Sequence, residues 1–85
     1  MRIINLIDNI SYKPELKSEH GLSYYIECNN HKILFDTGQS SAFIDNAKHL
    51  NIDLSLVDIV VISHGHYDHG GGLSAFLSLN KHAKI

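Results

Sequence analysis

Covalent and conformational restraints are scarce in this chain: it has one cysteine, one proline and no tryptophan. A lone thiol excludes an internal disulfide, and Cys28 sits in an apolar strand pattern, where a small buried hydrophobe is the simplest role. Nor is there an excess of positive charge. Seven Lys and Arg against nine Asp and Glu give a net charge of −2, so nothing electrostatic favours nucleic acid. No apolar run approaches the roughly 20 residues of a membrane-spanning helix. Met1-Arg2-Ile3-Ile4-Asn5 lacks the apolar core and small-residue cleavage site of a secretory leader. A cytoplasmic protein without membrane association is therefore expected. At 85 residues, 44% hydrophobic and 19% charged, the chain fits one small domain. A unit this short buries only about 60–65% of its unfolded surface, which leaves its independent stability marginal.

What the chain has is histidine, seven in all. Three of them fall with an aspartate in the run His64-Gly65-His66-Tyr67-Asp68-His69. Neutral imidazole and carboxylate are ligands for zinc, iron and manganese, and two ions about 3.5–4 Å apart can share such a cluster. His64 and His66, two residues apart, project to one side of an extended chain and could grip one ion. Asp68 and His69 follow where the chain turns, and could hold a second. The bland alternative is a solvated histidine-rich loop, which fits poorly with an internal segment that follows an apolar strand.

His64-x-His66-x-Asp68-His69 matches the His-x-His-x-Asp-His signature of the metallo-beta-lactamase superfamily of metal-dependent hydrolases at every defined position, and the chain resembles that family. Ile33-Leu34-Phe35-Asp36-Thr37-Gly38 is similar to its strand ending in an acidic residue, and Ser63 and Gly70-Gly71-Gly72-Leu73 flank the ligand loop as in the family. Glu19-His20-Gly21-Leu22-Ser23 and Ile7-Asp8-Asn9 further resemble the branch containing dihydropterin-aminobenzene-phosphate synthases. The resemblance implies an α/β (α+β) fold: the N-terminal half of a four-layer αββα sandwich, with a mixed sheet and two helices. It also implies that residues 1–85 are the first part of a larger domain. Family members complete the site with a third histidine, a bridging carboxylate and a final histidine, for which this sequence has no matching positions. The implied cofactor is one or two divalent ions, zinc first, with iron or manganese as alternatives.

The elements follow from pattern. Arg2 to Asp8 reads as a first strand. Leu22–Cys28 and Lys32–Asp36 read as a hairpin turning at Asn29-Asn30-His31, which makes His31 a turn residue. Ser40 or Ser41 caps a helix running to about Leu50, with His49 beside its apolar stripe. Asp53 to Val57 is a short turn. Asp58 to Ile62 is a continuous apolar run, expected to be a central strand covered on both faces, and Leu73 to Leu79 a helix. His82 is expected at the surface. Asp36 is either a strand-end turn residue or a carboxylate that orients the histidine loop by accepting a ring N–H; the second is favoured. Asp8, Asn9 and His20 are candidate substrate contacts by resemblance, each with a solvent-exposed alternative.

The expected chemistry is metal-assisted hydrolysis of an ester, thioester, lactone or phosphoester, with bound water activated toward hydroxide. Asp68 would be both ligand and catalytic residue, and His64, His66 and His69 anchors. Two other classes stay open: a di-iron oxidoreductase or pterin-related synthase of the same fold, and a non-catalytic half that associates with a complementary polypeptide carrying the remaining ligands. Half a sandwich would leave apolar faces uncovered, which favours association.

Overall fold

The computed structural model describes residues 1–8, 18, 21–63 and 72–85. Strands β1 (Arg2–Ile7), β2 (Ser23–Cys28) and β3 (His31–Phe35) form an antiparallel meander, and β4 (Ile59–Val61) adds to β3 in parallel, giving the order β1-β2-β3-β4. Between β3 and β4 lie α1 (Ala42–His49) and a 3-10 turn at Leu54–Leu56, and α2 (Leu73–Leu79) follows β4. This is the mixed sheet with two helices that the sequence implies.

The β2–β3 turn is Asn29-Asn30, with φ of 50° and 67°. Two consecutive left-handed residues make a primed turn that matches strand twist, and asparagine tolerates that region. α1 is stopped by a third asparagine. Asn51 has φ 60°, the Ile52 N–H reaches Ala47 O at 2.8 Å and the Asn51 N–H reaches Lys48 O at 3.1 Å. This is the six-to-one and five-to-two pairing of a Schellman cap, with buried Ile52 as its apolar closure.

Cross-strand register sorts the sheet into two faces. Ile4, Tyr25, Leu34 and Val60 are paired in one row and belong to the core with Phe43, Ala47, Val57 and Phe76. A register irregularity between Asn5 and Ile7 lets consecutive Leu6 and Ile7 both reach that core. The Leu6 carbonyl accepts from Asn46 Nδ2 of α1 at 2.7 Å, tying helix to strand through a buried amide. Asn80, also buried, donates to Leu54 O at 3.0 Å and Val57 O at 2.8 Å while its Oδ1 accepts the His82 and Ala83 N–H groups.

The opposite face is apolar as well. Ile3, Ile26, Ile33 and Ile59 form one row, and Tyr24, Phe35 and Val61 lie in the next. These residues are half-buried, except Ile3 at 58% and Val61 at 41% exposure.

Three local expectations need correction. His31 opens β3 instead of sitting in the turn, because two asparagines suffice to reverse the chain, and its Nδ1 lies 3.4 Å from Asp58 Oδ2. β4 is three residues long and is not covered on both faces, since Val61 lies on the open side; beyond it only the Ile59–Lys84 bridge continues the sheet among the described residues. Cys28 is half-buried at the hairpin end instead of buried. The serine cap of α1 is as expected and is shared: Ser41 occupies the N-cap position without a side-chain bond, while Ser40 Oγ accepts the Ala42 N–H at 3.3 Å.

Candidate functional site

β1 and β3 end, and β2 begins, at the same edge of the sheet, where Ile7 pairs with Ser23 and Tyr24 with Phe35. β4 ends there too, since Phe35 pairs with Val61. Ligand sites in open α/β sheets form beyond the carboxyl ends of parallel strands, where loops are free to present side chains from a fixed origin. Here that edge carries Asp36, one residue past β3, and Ser63, two residues past β4.

Asp36 is fully buried and in the left-handed region, with φ 58°. An L-residue pays roughly 1–2 kcal/mol for that conformation, and aspartate is among those that adopt it when local hydrogen bonds compensate. The bonds are present on every polar atom. Its N–H donates to Val61 O at 2.8 Å and its carbonyl accepts from Ser23 Oγ at 2.7 Å. Its two carboxylate oxygens accept the Ser63 N–H and the Ser63 hydroxyl, each at 2.7 Å. The carboxylate thus fixes the residue immediately before His64.

Thr37 is buried beside it. Its hydroxyl donates to Gly38 O at 3.2 Å and accepts the Gly72 N–H at 2.9 Å; that N–H also lies 3.2 Å from Gly38 O. Gly72 is required for closeness, since a Cβ there would fall on the Ser40 carbonyl oxygen and the Phe43 ring. Gly38, with φ 70°, turns the chain out of the strand end, and its N–H donates to Leu22 O at 2.8 Å.

Of the residues singled out in the sequence, Asp36 and Asp8 come to this edge. Asp8 is exposed just past β1, with Oδ2 accepting from Asn5 Nδ2 at 3.1 Å. Two strand spacings, on the order of 10 Å, separate β1 from β3. His64, His66, Asp68, His69, Asn9 and His20 lie outside the described residues. Among the described residues no three His, Cys, Asp or Glu side chains converge as a metal site. His49 and His82 are exposed.

Sequence reasoning missed Ser23 and the contribution of Thr37. A hydroxyl beside an acidic strand end was the available signal, but its partner, Gly72, is 35 residues away. A groove of about 360 Å³ lined by Arg2, Glu27, Cys28, His31 and Lys32 lies at the hairpin tip, the other end of β3 from Asp36.

Comparison with known proteins agrees with this arrangement. A family model described as the metallo-beta-lactamase superfamily matches residues 17–85. An uncharacterized protein of Methanocaldococcus jannaschii is 46% identical over 68 residues, which covers 80% of this chain and 26% of that protein. From the same organism, 7,8-dihydropterin-6-methyl-4-(beta-D-ribofuranosyl)-aminobenzene-5'-phosphate synthase is 37% identical over 84 residues, covering 92% of this chain and 29% of the synthase. The crystal structure of a metal-dependent hydrolase of the beta-lactamase superfamily superimposes with a TM-score of 0.71 at 48% identity, over 84% of this chain and 25% of that one. The chain therefore spans between a quarter and a third of the length of these relatives.

Proposed function

The chain belongs to the metallo-beta-lactamase superfamily, and on that basis we propose that it carries the first ligand loop of a metal-dependent hydrolase acting on an ester, thioester, lactone or phosphoester. The observation that carries this reading is the anchoring of Ser63 to the buried Asp36 carboxylate, directly ahead of His64-x-His66-x-Asp68-His69. Three imidazoles and a carboxylate are a fitting donor set for zinc, with iron or manganese as alternatives. Bound there, one or two divalent ions would polarise the scissile bond and lower the pKa of water toward neutrality.

The chain's own residues have distinct parts in this. His64, His66 and His69 bind as neutral imidazoles, and Asp68 binds and takes up or orients a proton at its carboxylate. Asp36 fixes where the loop starts and is suited to accept a ring N–H from a ligand histidine. Asp8, Asn9 and His20 are proposed substrate contacts. Because the chain spans a fraction of its relatives' length, the activity is assigned to the whole domain; a complementary polypeptide supplying further ligands is one way of completing it.

The 37% identical synthase favours one second reading, a pterin-related synthase on the same site. Product analysis separates them: hydrolysis releases an acid with an alcohol or thiol, or a single hydroxy acid from a lactone, whereas synthase activity joins two substrates. Asp68→Ala in the zinc-loaded protein is expected to reduce turnover by at least about 100-fold, the upper end of what loss of a residue merely supporting a ligand costs. Unchanged turnover would remove Asp68 from the reaction.

A further inference from the structure

We propose that Thr37 is a positioning residue for the metal loop, acting with Asp36 so that two consecutive side chains at the end of β3 hold both ends of residues 64–71. The inference rests on the metal-centre reading above and concerns how this chain prepares for the ion.

The geometry is specific. Residue 63 is held by the Asp36 carboxylate through two bonds of 2.7 Å. Residue 72 is held by the Thr37 hydroxyl at 2.9 Å. These are the residues on either side of the ligand-bearing stretch, and their holders are adjacent in sequence. The Thr37 hydroxyl has its orientation set: it spends its proton on Gly38 O and turns a lone pair to the Gly72 N–H. Gly72 in turn sits too close to Ser40 and Phe43 for any side chain, so the chain is fixed there by contact as well as by the hydrogen bond. The whole assembly is locked to the sheet through Ser23 Oγ on Asp36 O and the Asp36 N–H on Val61 O.

Fixing both ends of an eight-residue stretch lowers the conformational entropy that ligand side chains lose on converging around an ion. A site held to within about 0.5 Å by supporting residues binds better than one left to find its geometry. Support of this kind is worth about 10–100-fold in metal affinity. Thr37 therefore matters to the ion without touching it.

The test is zinc affinity, measured by competition with a chromophoric chelator on the protein carrying these residues, with far-UV circular dichroism confirming equal folding. Thr37→Val removes the hydroxyl at nearly constant volume and is expected to weaken zinc binding about 10–100-fold. Thr37→Ser keeps the hydroxyl and is expected to stay within about threefold of the parent, a rescue that a role confined to methyl packing would not give. Ser63→Ala removes the hydroxyl bond to Asp36 and leaves the Ser63 N–H bond in place; with equal folding confirmed, it is expected to weaken zinc about tenfold. The proposal is overturned if Thr37→Val binds zinc as tightly as the parent, if Thr37→Ser is as weak as Thr37→Val, or if Ser63→Ala is unchanged. A parent protein that takes up no zinc would overturn the metal-centre reading itself, an outcome separate from these three.

Discussion

At the scale of single residues, the acidic groups of this chain do different work according to what donates to them. Glu27 is held below the ordinary carboxylate range mainly by the Tyr25 hydroxyl, which donates to its Oε2 at 2.6 Å, and secondarily by Arg2. Asp53 is lowered by the hydroxyl and N–H of Ser55. A carboxylate depressed in the folded state binds fewer protons than in the unfolded chain. Its stabilisation is full above the unfolded value of about 4 and is lost as pH falls through the folded one. Urea midpoints are therefore expected to drop between about pH 5 and pH 2, and Glu27→Gln should flatten that drop. Tyr25 runs the other way: burial first, then Glu27, raises its phenol. Its contribution is present below the unfolded value of about 10 and lost as pH rises beyond it. An acid limb identical in Glu27→Gln and the parent would contradict this assignment.

At the scale of elements, buried amides do what a core this small cannot do by area alone. Asn80 ends α2 and donates to three carbonyls around the 3-10 turn while capping the chain beyond it. Asn80→Ala strips the amide donor from the Val57 carbonyl and the acceptor from the His82 and Ala83 N–H groups, while the Leu54 carbonyl keeps the Val57 N–H; at about 1–3 kcal/mol for an unsatisfied buried group it is expected to cost about 3 kcal/mol. Chemical denaturation measures this directly, and a loss below about 1 kcal/mol would mean that water replaces the amide.

Elements are also where the sequence was most and least readable. The asparagine turn, α1 and α2 follow from local rules, because φ preference and 3.6-residue periodicity act over a few positions. The extent of β4 does not. Its apolar run continues to Ile62, but pairing stops at Val61, since strand length is set by the partner. His31 was misplaced for a similar reason, as only the Asp58 contact and the register with Cys28 show it to be in the sheet. The proposed ligand residues were legible as a motif. The bonds from Asp36 to Ser63 and from Thr37 to Gly72 were not, because they span 27 and 35 residues and depend on β3 and β4 being parallel neighbours.

At the scale of the whole molecule, the sheet has one face closed by α1 and α2 and a second with the Ile3–Ile26–Ile33–Ile59 row partly open. The described residues put the strand ends, Asp36 and Ser63 at one edge, and no helix among them is long and apolar enough to cross a membrane. Asp36 and Ser63 at that edge lead directly into residues 64–69, so the account depends on whether that stretch holds an ion. Native mass spectrometry of the zinc-supplemented protein, alongside a His64→Ala/His66→Ala variant, addresses this most directly. One or two zinc ions on the parent and at least one fewer on the variant is the expected result. A parent that carries no zinc, iron or manganese, or a variant that retains the parent's full complement, would contradict it.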